Sequence, residues 1–209
     1  MIVTGIEELT KSRSRIFLDG EFAFVLYKGE FRHFHIRLGE EIPQEDYERV
    51  LRETLPKRAK LRAMNLLLKK DYTTAQLREK LLQGEYPEGV IEEALEYVAS
   101  FHYTDDLRYA VDYITCHQEN RTRMRIDQDL RRKGISGDIL EKAWSKWEQS
   151  GGAQDEAAMI GKLLRKRNFR GQDATLSERQ KEYAFLLRKG FSMEGIKKAL
   201  FGRIDDYQD

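Results

Sequence analysis

The sequence predicts a mostly α-helical protein: three tandem three-helix repeats forming an elongated, curved body, preceded by a small N-terminal β-hairpin segment. Three observations predict it. Three 15-residue windows align with one another without gaps. From Lys57 onward, apolar residues recur at helical spacing only. The β-branched and aromatic residues that favour strands gather in the first 30 positions, around an Asp-Gly pair.

The hairpin comes first. Ser14–Leu18 and Glu21–Tyr27 are the strand candidates, joined by Asp19-Gly20. That pair suits a type I′ turn, whose two central residues both need positive φ. Ile2–Leu9 offers a third strand, and a short helical segment follows Tyr27. Gly39 to Pro43 reads as a turn. Gln44–Leu55 is helical, with Tyr47, Val50, Leu51 and Leu55 on one face, and Pro56 marks its boundary. Residues 1–56 therefore form the N-terminal segment.

Three repeats occupy 57–103, 104–150 and 151–209. Each opens with a helix, at about 57–70, 104–117 and 155–167, and Thr73 or Thr74 can cap the second helix of the first repeat. The aligned windows follow: Leu81–Leu95, Leu130–Trp144 and Leu186–Leu200. Each begins with Leu and carries an apolar residue at the sixth position (Tyr86, Ile135, Phe191). An aliphatic residue stands at the eleventh (Ile91, Leu140, Ile196) and Ala at the fourteenth (Ala94, Ala143, Ala199). One helix ends, Gly134 or Gly190 takes the left-handed C′ position, and Ser136 or Ser192 caps the next. The first window has Gly84 one place early, so Glu85 occupies the glycine position. In the third, Gly195 and Arg203 weaken the apolar stripe. All three alanines are expected to be buried at equivalent positions. The windows start 49 and 56 residues apart, too far for a tetratricopeptide array. Gly151-Gly152 reads as a flexible joint and 170–175 as a loop.

Composition bounds the function. The 209 residues are 40% hydrophobic and 35% charged, with a net charge of +1. The charge is uneven. Residues 1–56 carry 8 basic and 11 acidic residues, 57–117 carry 9 and 10, and 118–209 carry 20 and 15, so the C-terminal part is basic by 5. A basic half suits a nucleic acid or an acidic protein surface. Cys116 is the only cysteine, which excludes an internal disulfide and a cysteine-based zinc site. The opening residues lack a signal peptide's pattern and no uncharged run is long enough to span a membrane, so a cytoplasmic location is expected. No phosphate-binding glycine motif is present. Asp105 and Asp106, as helix neighbours, point about 100° apart and suit capping better than a metal. His33 and His35 could share one side of a strand, but no further ligand completes a site. No catalytic residue, metal or cofactor is expected, and no enzyme.

Two basic clusters remain as partner-binding candidates. Arg121, Arg123, Arg125, Arg131, Arg132 and Lys133 lie before and on the middle helix of the second repeat. Arg165, Lys166 and Arg167, with Lys162 and Arg170 beside them, end the first helix of the third. Cations at helix C-termini follow from the dipole, but Arg121, Arg123 and Arg125 enter a helix at its positive end, where cations are unfavourable. Tyr103, Tyr109, Tyr113, Trp144 and Trp147 recur nearby and fit a core better than a stacking platform.

Several segments resemble the RecX family: Arg62–Leu67, Tyr72-Thr73, Leu77–Leu82, Ile91–Val98, Tyr103–Ala110 and Lys133-Gly134-Ile135. The resemblance runs over roughly 58–200, strongest in the first two repeats. It implies a monomeric cytoplasmic regulator, mainly an inhibitor, that lies in the groove of the RecA–DNA filament, limits its extension and acts in recombination, DNA repair and the SOS response. Some such proteins also bind single- or double-stranded DNA. The alternative is a DNA-binding protein using the repeats as helix-turn-helix-like modules.

Overall fold

The computed structural model describes residues 1–202. The chain divides into two compact units, Met1–Asp105 and the residues from Asp106 onward.

The first unit opens with an antiparallel sheet of three strands in the order β1 (Val3–Thr10), β2 (Arg13–Leu18) and β3 (Glu21–Tyr27). The β2–β3 turn is the expected one: Asp19 and Gly20 have φ of +49° and +91°. The Asp19 carboxylate also accepts the Ile2 N–H at 2.8 Å. On its other side β1 is covered by the 39–42 segment, through Val3 N–H to the Glu40 carbonyl and Gly39 N–H to the Val3 carbonyl. A single 3₁₀ turn, Lys28–Glu30, supplies the short helical segment. His33 and His35 lie in the turns that follow, not on a strand, and His35 has φ +51°. Its Nδ1 lies 2.6 Å from the Asp46 carboxylate.

Pro56 does not end a helix. α1 (Gln44–Arg49) continues through a π-turn, Val50–Thr54, into α2 (Leu55–Leu67), with Pro56 at the second position of α2. Proline has no N–H for the Arg52 carbonyl four residues back, and its ring would clash with that carbonyl in a regular helix. The widened turn, in which Leu55 N–H bonds to the Val50 carbonyl, accommodates it. The proline signal is satisfied by a local change of pitch because the apolar residues on both sides share one core. That core joins Ile16, Phe24 and Leu26 of the sheet to Leu55, Ala59, Leu81, Ile91 and Val98.

α3 (Thr74–Leu82) and α4 (Glu88–Ser100) complete the first three-helix group. Thr73 caps α3 by accepting the Gln76 N–H, and the Gln76 side chain returns to the Thr73 N–H. Glu85 takes the left-handed conformation between them, φ +58°, as its place in the aligned window implies. Gly84 is needed beside it: a Cβ there would lie 2.8 Å from the Tyr86 ring.

The second unit contains α5 (Asp106–His117), α6 (Arg123–Arg132) and α7 (Gly137–Gln149), followed by α8 (Glu156–Lys166), α9 (Leu176–Lys189) and α10 (Met193–Phe201). Among the described residues no strand follows Tyr27. Gly134 and Gly190 have φ of +84° and +87°, and Ser136 and Ser192 cap α7 and α10. Two cores form, one around Ile114, Ile126, Leu130 and the Trp144–Trp147 pair, the other around Ile160, Leu164, Leu186 and Ile196.

The aligned positions behave alike with one exception. Leu81, Leu130 and Leu186 are buried, as are Ile91, Leu140 and Ile196. Ala94 and Ala143 are fully buried, but Ala199 is exposed. α10 has a shorter stripe, with Ile196 and Leu200 as its buried residues, and it ends at Phe201. Arg203, expected to weaken the same stripe, lies outside the described residues.

Of the Gly151-Gly152 pair, a Cβ at Gly151 would meet no neighbour, but Gly152 is packed. Gly152 N–H bonds to the Trp147 carbonyl, and its α-carbon lies against the Trp147 ring, where any Cβ would approach below 3.0 Å. The Gln154 amide ties the same connection to the Gln118 and Arg121 carbonyls at 2.9 and 2.8 Å.

Candidate partner interface

The first basic cluster converges on one carboxylate. Arg121 precedes the N-cap of α6, Thr122, whose hydroxyl accepts the Arg125 N–H. From there Arg121 Nη1 donates to Asp129 Oδ2 at 2.6 Å and to the Tyr113 hydroxyl at 2.7 Å. Arg125 and Arg132 lie 3.7 and 3.6 Å from the other Asp129 oxygen, one helical turn away on either side. Three guanidiniums thus share one carboxylate whose side chain is 11% exposed. The cations that the helix dipole disfavours at this entrance are offset by Asp129 within the same helix. The cost expected from the sequence is therefore reduced, while a surplus of positive charge remains.

Arg131 is exposed on the last turn of α6, and the other two members are held by aromatic rings. Arg123 lies 4.7 Å above the Trp144 ring and 3.2 Å from Glu148. Trp144 is fixed from the other side, its Nε1–H donating to Asp127 at 2.7 Å. Lys133 stands over both Tyr109 and Tyr113, which are stacked at 14°. Trp144 and Trp147 are buried edge to face, so they belong to the core. Tyr103, 47% exposed and stacked on Phe101, does not. The His117 ring meets Tyr113 edge-on at 4.2 Å. Burial first, and then the Arg121 charge, hold the His117 pKa below its ordinary value.

The second cluster is split. Arg165 and Lys166 are exposed on the last turn of α8, whereas Arg167 turns away to Glu182. Its guanidinium makes a bidentate pair there, at 2.6 and 2.9 Å, and covers the Phe185 ring at 4.1 Å.

Two cations that the sequence reading did not select join the first cluster. Arg188 and Lys189, at the end of α9, face Arg121 and Arg125 across a cleft of about 530 Å³. Leu163, Phe185 and Phe191 line its apolar part. The Thr122 hydroxyl donates to the Lys189 carbonyl at 2.7 Å and closes one end. Gly190 makes this approach possible, since a Cβ there would meet Thr122 Oγ1 at 2.9 Å. The repeat carried the signal, because Arg188-Lys189 occupies the window positions of Arg132-Lys133. What the sequence did not carry is that the end of α9 meets the start of α6.

Among the described residues no cluster of histidine, cysteine and carboxylate could hold a metal ion. No described helix is long and apolar enough to cross a membrane.

Comparison with known proteins places these features in a family context. Residues 59–97 match the family model of the RecX first three-helix domain, and residues 154–200 that of the RecX third three-helix domain. The chain is 30% identical over 202 residues to the regulatory protein RecX of Caldanaerobacter subterraneus subsp. tengcongensis, covering 96% of this chain and 98% of that one. It is 26% identical to the regulatory protein RecX of Clostridium acetobutylicum, covering 95% and 94%. A crystal structure of a regulatory protein RecX superposes with a TM-score of 0.61 at 23% identity, over 97% of this chain and 99% of that one. RecX from Lactobacillus salivarius gives 0.58 at 22%, over 70% and 94%. At such identities the two structures show the fold alone. The third repeat, where the resemblance of the quoted segments is weakest, is matched by its own family model.

Proposed function

The chain belongs to the RecX family, and from that membership we propose that it regulates the RecA recombinase, mainly as an inhibitor. In this reading it lies in the groove of the RecA–DNA filament and limits the filament's extension. The observation that carries the proposal is the match to named regulatory proteins along nearly the whole length of both chains. It acts as a cytoplasmic monomer, without catalysis of its own, and its three repeats at 57–103, 104–150 and 151–209 each offer a surface.

The contact residues we assign are Arg121, Arg123, Arg125, Arg131, Arg132 and Lys133, with Arg165, Lys166 and Arg167. The surplus charge around Asp129 supports the first group, because three cations on one carboxylate attract a further anion. Support for the second group is uneven: Arg165 and Lys166 are exposed, while Arg167 is committed to Glu182.

RecA-dependent ATP hydrolysis on single-stranded DNA, titrated with the protein at two salt concentrations, tests the reading. Inhibition by the wild type and weaker inhibition by an Arg121→Ala, Arg123→Ala, Arg125→Ala triple variant are expected. No effect of the wild type on a cognate RecA rejects the function. Equal inhibition by both proteins rejects the site. The second reading, autonomous DNA binding, is favoured by the basic cleft alone. It predicts binding to DNA without RecA that falls steeply with ionic strength.

A further inference from the structure

We propose that a small cavity between β3, the first turn of α2 and the α3–α4 turn binds one halide ion, with chloride as its natural occupant. The inference does not depend on the RecA reading.

Backbone geometry brings an unpartnered donor to this place. Lys28 N–H donates to the Ser12 carbonyl at 2.9 Å. Alternation along the antiparallel ladder then turns the N–H and C=O of Val25 and Tyr27 away from β2. Tyr27 N–H donates to the Glu30 carboxylate at 3.1 Å. Val25 N–H has no partner among the described residues, although Val25 is only 7% exposed and lines the cavity. A buried backbone donor left in this way calls for a bound group.

Side chains add further donors. The Arg58 guanidinium lies 4.6 Å above the Tyr27 ring, with Nη2 buried against the Glu30 carboxylate. Its remaining N–H groups have no partner among the described residues, and Arg58 lines the cavity. Burial lowers the Arg58 pKa, which an anion beside it would oppose. Arg13 lines the cavity too, and its side chain has no ion pair or hydrogen bond among the described residues. Burial above all raises the Tyr86 pKa, so its hydroxyl stays protonated and able to donate.

The neighbouring carboxylates are engaged. Both Glu85 oxygens accept from Arg15, and Glu30 holds Arg58 and the Tyr27 N–H. The Val25 carbonyl accompanies the donors as an acceptor, but the donors outnumber it and two of them are cationic. A water there must aim two hydrogens into a site poor in free acceptors, whereas an anion needs no acceptor. Size then selects the anion. A cavity of about 20 Å³ holds one water-sized group and excludes phosphate or a carboxylate ligand. Chloride is monatomic and accepts from several donors at once. Bound here, it ties the sheet to the first three-helix group.

Chlorine nuclear magnetic resonance of the full chain tests the site, because a protein-bound halide relaxes fast and broadens the line. Thermal denaturation in sodium chloride, compared with sodium gluconate at equal ionic strength, gives a second readout. The wild type should broaden the line, bromide should reverse the broadening by competition, and Tm should rise with chloride to a plateau. Arg58→Gln should weaken chloride binding by at least about tenfold. Tyr86→Phe, which removes one neutral donor, should weaken it by about fivefold. Lys57→Gln removes the same charge as Arg58→Gln from the exposed neighbouring position and should leave binding within about twofold. Circular dichroism verifies folding, and Tyr86→Phe carries the test if Arg58→Gln does not fold. Absence of bromide-sensitive broadening, or of a chloride-specific rise in Tm, overturns the proposal and leaves the cavity to a water. Equal weakening by Arg58→Gln and Lys57→Gln also overturns it, because it would mean diffuse attraction to surface charge.

Discussion

Glu85 grips Arg15 through two hydrogen bonds, at 2.7 and 2.5 Å, from a backbone held at φ +58°. The pair fastens the outer face of β2 to the α3–α4 turn. It also fills, with a glutamate, the place where the other two windows use glycine. Two effects of opposite sign therefore meet at one residue. The left-handed conformation costs a residue with a Cβ roughly 1–2 kcal/mol. The ion pair is partly exposed and screened by solvent, so it contributes less than that. Strain should win: Glu85→Gly is expected to leave stability unchanged or raise it by up to about 1 kcal/mol, while Glu85→Gln, which keeps the strain and loses the charge, lowers it. Chemical denaturation of both variants checks the order.

The same pair sets a pH dependence. The bonds from Arg15 hold the Glu85 carboxyl below its ordinary pKa of 4.5. A folded-state pKa below the unfolded one means stability that is present above pH 4.5 and lost as pH falls through the folded value. The acid limb of the stability curve should therefore flatten in Glu85→Gln. A limb of unchanged slope would show that the pair has no part in it.

His117 should add a second, higher step. Its pKa is depressed by burial and by Arg121, so the unfolded chain takes up a proton first as pH falls below 6.5. Its contribution is complete above 6.5 and declines as pH drops towards the folded value. Denaturation midpoints measured across this range should converge between wild type and His117→Gln as the solution is acidified.

Ala143 and Ala199 share a position in the repeat and differ in burial. Ala143→Leu should overpack the α5–α7 contact and cost roughly 1–3 kcal/mol. Ala199→Leu adds its side chain to an exposed site and should stay within about 0.5 kcal/mol. Similar losses at both positions would show that the two sites are covered alike.

Gly152→Ala tests whether the connection between α7 and α8 is packed. A Cβ there would collide with the Trp147 ring, so the ring or the loop must move. The expected loss is about 1–3 kcal/mol, with a change in tryptophan fluorescence. Gly151→Ala meets no neighbour but must adopt φ +89°, so its cost is backbone strain and leaves Trp147 in place. Loss of stability without a fluorescence change in Gly152→Ala would mean that the joint is free.

Replacing Arg121, Arg123 and Arg125 together should lower thermal stability slightly. Relief of dipole repulsion favours the variant. Against that stand the Asp129 and Tyr113 bonds of Arg121 and the Trp144 contact of Arg123. A fall in Tm of a few degrees is expected, about what 1 kcal/mol produces in a chain of this length. An unchanged or raised Tm would show that the dipole dominates.

The sequence by itself determined the helices, their caps and the three-fold repeat, because these depend on neighbours within a few residues. Ser136, Ser192 and Thr73 cap where they were expected to, and Gly134 and Gly190 turn left-handed because the apolar residue after each must fold back on the helix just ended. Local rules failed where a distant partner intervened. Pro56 reads as a helix end, yet a core spanning the sheet and α2 holds the helix together around a π-turn. Gly151-Gly152 reads as a hinge, yet at Gly152 the Trp147 ring fills the space that makes a glycine mobile. The basic residues were visible as charge, but Asp129 decided how much of that charge remains uncompensated. The meeting of Arg121 and Arg125 with Arg188 and Lys189, more than 60 residues later in the chain, was decided by packing alone. Short-range preferences fix backbone conformation one residue at a time, whereas a cleft needs two surfaces, and only the folded core determines which two face each other.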